Sequence, residues 1–483
     1  MKTAKRNRNP EIDWLLLINA TLGNFLAGLS ARMFTISLPT VANGLGSDIL
    51  GIAWALISFQ VAGVSFAIVF GRLGDIYGRN TIYSLGFVIL TVSSFLCGVS
   101  QNVLQLIAFR FLQGVAAAMT QSAGRALAMD AMPAGSEGKA QGIMTTAFHS
   151  GFFVGPPLGG LMIDYIHWRG TFFFIVFFGV AGIVLSALGS RRGSATVVAA
   201  ARPSVDYTGA GLLIALTVML TLLLDRKAAE ALGLGQKGYL AVAFAGALLG
   251  FLAHERKASS PIVSLPLFKI RMFTYSVISL LILSINRGLV GFLMPFYLQD
   301  VLRMTPSFMG IMFLAPPIFT VTLSTVGGHL TDQVGPRIPT TIGVSASLAA
   351  VLLGAYLRVD SHWILPTALL GLTGIGTAFF NSANQAAIIG SVPKEHRGFA
   401  NGMVHTAFEL GHLLGVSVGG VLLALAFEYY SGIPGLTPST EEPQAFVSSM
   451  NASYVAAIAL TLIALFTSLM RGSGKIQAAS AKH

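Results

Sequence analysis

Charged residues and cysteines are scarce in this chain of 483 residues. Asp, Glu, Lys and Arg make up only 10% of it, whereas a soluble domain carries about 25%. The single cysteine, Cys97, excludes an internal disulfide framework and argues against a cysteine-based metal site. No nucleotide-binding Gly-x-x-x-x-Gly-Lys-Ser/Thr segment occurs, and no metal-ligand cluster or nucleophile triad stands out. We therefore expect no enzyme activity, no cofactor and no metal.

Long apolar runs dominate the chain instead. Hydrophobic residues make up 54% of it, and the mean hydropathy is +0.73, which is typical of a polytopic membrane protein. A spanning helix needs roughly 20 mostly apolar residues, and the sequence predicts an all-α fold with fourteen such helices. They run near 14–38, 50–70, 81–100, 103–129, 139–163, 171–189, 207–224, 239–254, 273–298, 307–327, 339–357, 362–388, 398–426 and 449–470.

The net charge of +11 is distributed unevenly along the chain. Of 30 Lys and Arg residues, 20 fall in the N-terminal tail, the even-numbered loops and the C-terminal tail, and six fall in the opposite loops. The positive-inside rule places both termini in the cytoplasm, and we expect location in the bacterial cytoplasmic (inner) membrane. These charges should meet anionic membrane lipid rather than nucleic acid. We expect a monomer.

The chain also repeats itself. The segment Phe399–Gly420 matches Lys139–Gly160 at an offset of 260 residues, and the identities include five glycines. A second echo sets Gly71–Arg79 against Gly328–Gly335, and both segments follow an even-numbered helix. Like-oriented halves of six helices, with the substrate site between them, are a known transporter plan. The predicted domains are a bundle at 1–190, a linker with two inserted helices at 191–272, a second bundle at 273–470 and a cytoplasmic tail at 471–483.

Glycines recur every four residues in the predicted fifth helix, at Gly151, Gly155 and Gly159. In a membrane, such a stripe of small residues lets a second helix approach closely. Pro156 and Pro157 remove backbone donors within the same segment and favour a bend. The stripe is either a static packing seam or a surface on which one helix moves against another.

Three motifs carry a resemblance to a known family. The segment Gly71–Arg79 resembles the loop 2–3 motif of the major facilitator superfamily, and Arg110–Gly114 looks like its fourth-helix motif. Gly151–Gly160 looks like the fifth-helix motif of its antiporters, and the fourteen helices are similar to its drug:proton antiporter branch. The resemblance implies alternating access and efflux, as in multidrug resistance.

The resemblance also implies gating at the cytoplasmic loops. Gly71, Asp75 and Arg79, with Asp332 in the second half, occupy the motif positions. Asp75 could latch the N-terminus of the helix that begins near Arg397, where the helix dipole favours an anion. The alternative is a simple loop cap.

One position departs from the pattern of that branch. Its first helix usually carries an acidic residue about nine positions before a Leu-Pro pair. Here Leu38 and Pro39 are present, but the acidic position is Ser30, and Arg32 follows two residues later. The missing carboxylate argues against the usual cationic drugs and the usual coupling site.

Basic residues outnumber acidic ones inside the predicted helices. Arg32, Arg110, Arg125 and Arg287 lie deep, whereas Glu409 is the only deep acid. Charges in the membrane are costly and face the bundle interior, and an unbalanced basic cavity attracts anions. We therefore predict an amphipathic organic anion as substrate. The alternative is that these arginines brace helices through backbone carbonyls.

Polar side chains form a stripe on each of two predicted helices. Such stripes either line an aqueous cavity, as the substrate-binding prediction requires, or bond helices together. The fourth helix carries Arg110, Gln113, Gln121 and Arg125, and the twelfth carries Thr373, Thr377, Asn381 and Asn384.

The predicted thirteenth helix holds the candidates for proton coupling. His405, Glu409 and His412 share one face, and the internal repeat pairs Glu409 with His149. Imidazole and desolvated carboxyl groups can titrate near physiological pH. Proton-coupled export of the anion is the leading hypothesis. Proton-coupled uptake and a non-transporting sensor or lipid-binding scaffold remain alternatives, as does a static Glu409–arginine pair.

Overall fold

The computed structural model describes residues 12–133, 136–191, 237–257, 265–393, 396–433 and 436–471, together with 211–212, 215–216, 218–219 and 222–223. These residues form helices joined by short loops, and no strand occurs among them. The all-helical prediction is confirmed. The helix predicted near 207–224 lies largely outside the described residues.

Six helices form the first half of the chain, and each matches a predicted helix. Asn102 begins the fourth of them as an N-cap, because its side chain accepts the amide of Gln105 at 2.9 Å. The helices are α1 Trp14–Leu45, α2 Ile49–Tyr77, α3 Arg79–Val99, α4 Val103–Asp130, α5 Glu137–Tyr165 and α6 Trp168–Arg191.

The remaining helices follow the same pattern. The span predicted near 307–327 is formed by two consecutive helices. The first, α9, ends at Met312, and the second, α10, begins at Ala315. The helices are α7 Lys237–Lys257, α8 Arg271–Phe296, α9 Pro306–Met312, α10 Ala315–Val334, α11 Arg337–Gly354, α12 Ile364–Gly390, α13 Arg397–Ser431 and α14 Pro443–Met470.

Within the described residues, twelve helices are long and apolar enough to cross a membrane. Helix α5 is not among the twelve, although it has 29 residues, because His149 and its glycines and prolines lower its hydropathy. With α5 and the segment at 207–224, the count is consistent with fourteen.

The chain divides into two compact units. Unit 1 comprises residues 1–37 and 58–205, and unit 2 comprises residues 38–57 and 206–483. The turn between α1 and α2 therefore belongs to unit 2, where Thr40 Oγ1 donates to Gln299 Oε1 at 3.0 Å. The domain boundaries near 190 and 272 stay a prediction.

The second sequence echo corresponds to one repeated backbone feature. Gly78 precedes α3 with φ 96°, and Gly335 precedes α11 with φ 81°. Residues that carry a side chain rarely adopt such angles, which explains why both copies of the motif have glycine at this position. The two turns let α3 and α11 reverse direction directly after the preceding helix.

The glycine stripe of α5 packs against the backbone of α1 within unit 1. A Cβ added at Gly155 would lie 2.9 Å from Arg32 Cβ and 3.2 Å from the carbonyl oxygen of Leu29. A Cβ at Gly151 would lie 2.7 Å from the amide nitrogen of Leu29, and one at Gly159 would lie 3.2 Å from Met33 Cα. No side chain larger than hydrogen fits this seam without movement.

The matching stripe of α13 packs against α8 within unit 2. A Cβ at Gly411 would lie 2.6 Å from the carbonyl oxygen of Leu281, and one at Gly415 would lie 2.8 Å from Gly288 Cα. Gly155 faces the carbonyl of Leu29 and Gly415 faces that of Ile285. The two seams therefore share one register, and the internal repeat extends from sequence to packing.

Substitution of the seam glycines tests this packing. We expect Gly155→Ala and Gly415→Ala each to destabilise the protein by about 1–3 kcal/mol, because the added methyl group overpacks a backbone contact. Thermal unfolding of the purified protein in detergent measures the change.

Two glycines of the same helices are matched controls. A Cβ at Gly142 or Gly402 would meet no atom within 4 Å. Alanine there should leave stability unchanged or raise it slightly, because alanine favours helix. Equal destabilisation at control and seam positions would contradict close packing at the seams.

Candidate functional site

Arg110 is fully buried in unit 1 and lies between two aromatic rings. Its guanidinium carbon is 4.3 Å from the ring centres of Phe34 and Phe59. Its Nη1 donates to Gln113 Oε1 at 2.6 Å and to Ser30 Oγ at 3.4 Å. A guanidinium that is stacked and hydrogen-bonded in this way joins α1, α2 and α4.

The rest of the fourth-helix motif is also engaged in packing. Gln113 Nε2 donates to Ser94 Oγ on α3 at 2.7 Å. A Cβ at Gly114 would lie 2.8 Å from Ala62 Cβ and would overlap the carbonyl group of Phe59. This geometry is the one expected if Arg110 and Gln113 brace the helices rather than contact a substrate.

Arg32, Phe152 and His149 form a cluster beside the α1–α5 seam. The guanidinium carbon of Arg32 lies 4.4 Å from the ring centre of Phe152. The imidazole ring of His149 lies 6.3 Å from the same ring and 5.8 Å from that of Phe148. Arg32 is half-buried, and His149 is exposed. Both are site residues predicted from the sequence, and within unit 1 both lie beside the ring of Phe152.

Arg287 makes a similar contact in unit 2, with the phenylalanine that repeats Phe148 rather than Phe152. Its guanidinium carbon lies 4.9 Å from the ring centre of Phe408 on α13. Nη2 donates to Ser284 Oγ at 3.1 Å, and Nη1 donates to Thr377 Oγ1 at 3.4 Å. Phe408 directly precedes Glu409, just as its repeat partner Phe148 directly precedes His149. Each unit thus places an arginine of its first helix over a phenylalanine close to a titratable residue.

A small cavity adjoins Arg287. It offers about 20 Å³ to the centres of water molecules, which is room for one or two waters. It therefore suits hydration of the arginine rather than an organic molecule. The lining residues are Leu283, Asn286, Arg287, Val290, Ser347, Val351, Thr373, Thr377 and Phe380.

The polar stripe of α12 divides into two parts. Thr373 and Thr377 line the cavity at Arg287. Asn384 is buried, donates from Nδ2 to the carbonyl of Ser276 at 3.1 Å and accepts Nη1 of Arg471 at 2.9 Å. Within the described residues the buried Oδ1 of Asn381 has no hydrogen-bond partner.

Arg471 is a buried residue that sequence reasoning placed in the cytoplasmic tail. It is only 2% exposed, and its Nη2 donates to Ser279 Oγ at 3.2 Å. Burial lowers the pKa of its guanidinium to about 10. The signal that could have revealed it is the set of polar residues, including Ser279 and Asn384, at the ends of otherwise apolar helices.

The other predicted site residues lie on the expected helices. Five of them have half-buried side chains: Gln121, Arg125, His405, Glu409 and His412.

At the loop 2–3 motif, Arg79 Nη1 forms a salt bridge of 2.9 Å with Asp130 at the end of α4. Gly71 is half-buried and Asp332 is exposed, whereas the side chain of Asp75 lies outside the described residues. In the described part of the chain, no three His, Cys, Asp or Glu side chains are grouped to hold a metal ion.

Comparison with curated proteins finds relatives that are transporters. The chain is 28% identical to the riboflavin transporter RibZ of Clostridioides difficile (strain 630), over 94% of this chain and 96% of the relative. It is 27% identical to the tetracenomycin C resistance and export protein of Streptomyces glaucescens, over 85% of this chain and 76% of the relative.

Comparison with solved structures shows the same fold at low sequence identity. A variant of the nucleoside transporter NupG aligns with a TM-score of 0.63 at 12% identity, over 94% of this chain and 99% of that one. A bacterial homologue of the lysosomal transporter Spinster aligns at 0.65 and 14%, over 94% and 96%. The family model of the Major Facilitator Superfamily matches residues 20–285 and 276–471. The chain therefore belongs to the Major Facilitator Superfamily and is a membrane transporter rather than an enzyme.

Proposed function

We propose that this transporter uses the proton gradient to export a small amphipathic organic anion by alternating access. The observation that carries the proposal is the arginine–phenylalanine pair beside a titratable residue in each unit. Arg32 lies over Phe152 in one unit and Arg287 lies over Phe408 in the other.

Stacking leaves the positive charge of each arginine in place. A guanidinium over a ring directs its N–H groups outward from the edge of its plane, and its planar fork matches a carboxylate or phosphate. Ser284 and Thr377 supply hydroxyls beside Arg287. The arrangement supports recognition of an anion that also has a flat apolar part, because the phenylalanine rings lie next to the charge.

The support for export comes from the names of relatives and not from the geometry of this chain. One relative is named for the export of tetracenomycin C, and another is named as a multidrug transporter, MdtP of Bacillus subtilis (strain 168). The riboflavin transporter is named without a direction. Proton-coupled uptake is the alternative, and the direction of flux in sealed vesicles separates the two.

Proton coupling is assigned to Glu409, with His405 and His412 on the same helix and His149 at the repeat position. A carboxyl group can take up a proton on one side of the membrane and release it on the other. The proposal requires that protonation of Glu409 and occupancy by the anion alternate.

The charge of the substrate is tested by ligand-dependent thermal stability. Fluorescein, a small amphipathic anion, should stabilise the purified protein, and the cationic dye rhodamine 6G should not. Arg32→Ala and Arg287→Ala should each raise the Kd for fluorescein at least about tenfold, because a hydrogen bond to a charged group contributes about 1.5–3 kcal/mol.

Arg358→Ala serves as the matched control, because Arg358 is exposed and lies outside the helices. It should change the Kd for fluorescein less than twofold. Stabilisation by rhodamine 6G alone would overturn the assignment of an anionic substrate.

The role of Glu409 is tested by separating coupling from translocation. Glu409→Gln should abolish accumulation of fluorescein driven by a pH gradient in proteoliposomes, because the side chain can no longer carry a proton. Exchange of labelled for unlabelled fluorescein without a gradient should persist.

Glu428→Gln is the control on the same helix, because Glu428 is exposed near the far end of α13. It should retain accumulation driven by the gradient. Accumulation that remains pH-dependent in Glu409→Gln would show that another group carries the proton.

A further inference from the structure

Two arginines flank the end of α14 in unit 2. Arg271 begins α8, and its Nη2 donates to the sulfur of Met470 at 3.8 Å. Arg337 begins α11 and lines a groove with Leu469. These helix ends lie on the side that the positive-inside rule assigns to the cytoplasm.

The groove beside Arg337 has a volume of about 470 Å³ and is mostly apolar. One wall follows α11 from Arg337 to Ser345, a rise of about 12 Å. Three of its side chains, Ile338, Ile342 and Leu469, are 40–49% exposed, so none of the described residues covers it. The hydroxyls of Thr341 and Ser345 also reach its surface.

The charge at the top of this groove is not neutralised within the described part of the chain. Neither Arg337 nor Arg271 forms a salt bridge there. Asp332 is the nearest acid before Arg337 in the sequence, and it is exposed at the end of α10. The surface therefore presents Arg337 in an apolar slot and a second positive charge, Arg271, against Met470, the residue after Leu469.

We propose that this groove binds one anionic phospholipid, with its phosphodiester group between Arg337 and Arg271 and one acyl chain along α11. Basic pockets at the cytoplasmic ends of transmembrane helices suit such headgroups. A soluble phosphate would use the arginines but not the apolar wall, and a zwitterionic lipid would use the wall without net attraction to the arginines. The proposal requires only that the protein lies in a membrane, and it is independent of the transported substrate.

Native mass spectrometry of the full chain, titrated with phosphatidylglycerol and with phosphatidylcholine of the same acyl chains, tests the site. The wild type should bind phosphatidylglycerol more tightly. Arg337→Gln and Arg271→Gln should each lower that affinity about fivefold, because one basic residue near an anionic headgroup contributes about that factor. Ser345→Trp should also lower it by filling the slot, with both arginines present.

Arg397→Gln is the matched control, because Arg397 is likewise exposed and is the first residue of a helix, α13. It should change the affinity less than twofold. Each variant is compared by thermal unfolding in phosphatidylcholine, so that lost binding is not confused with misfolding. Equal binding of the two lipids by the wild type, an equal loss in Arg397→Gln, or displacement of the lipid by glycerol phosphate at the same concentration would overturn the proposal.

Discussion

Direct backbone contact between the first and fifth helices of each half is the constraint on which the rest of this structure depends. Gly155 abuts Arg32 Cβ on α1, and Gly415 abuts Gly288 on α8. The seam itself has no room for a long side chain, and the guanidinium of Arg32 lies over the ring of Phe152, the residue after the seam glycine Gly151. Arg287 lies next to the seam residue Gly288, and its guanidinium lies over the ring of Phe408. Glycine packing therefore sets where the charges lie.

The arginines inside the helices divide into two physical groups. Arg110 is enclosed by Phe34, Phe59 and Gln113, and it stabilises the packing of unit 1. Ser30 lies beside it, at the position where the drug:proton branch carries an acid. Arg32 and Arg287 are only half-buried. A charge in the membrane is costly by about 2.5–3.5 kcal/mol, and stacking on phenylalanine offsets part of this without neutralising the charge.

The sequence was sufficient for the helices and the glycine stripes because both follow from local patterns. Thirteen of the fourteen helices that were predicted from the length of apolar runs lie in the described part of the chain. The four-residue spacing of glycine predicted the stripes on α5 and α13. The partners of the stripes required the structure, because no local pattern shows that Gly155 faces α1. The hydrogen bond between Arg471 and Asn384 also required the structure, because it joins residues that are distant in the sequence. The roles of Arg32, Arg287 and Glu409 stay predictions.

Cryo-electron microscopy of the full chain in a phosphatidylcholine nanodisc, with and without fluorescein, tests most directly whether the seams fix the charged site. Both maps should keep the guanidinium carbons near the present 4.4 Å from Phe152 and 4.9 Å from Phe408, with the carboxylate of fluorescein bonded to Arg32 or Arg287. Seams separated by lipid or side chains, or fluorescein bound away from both arginines, would contradict this.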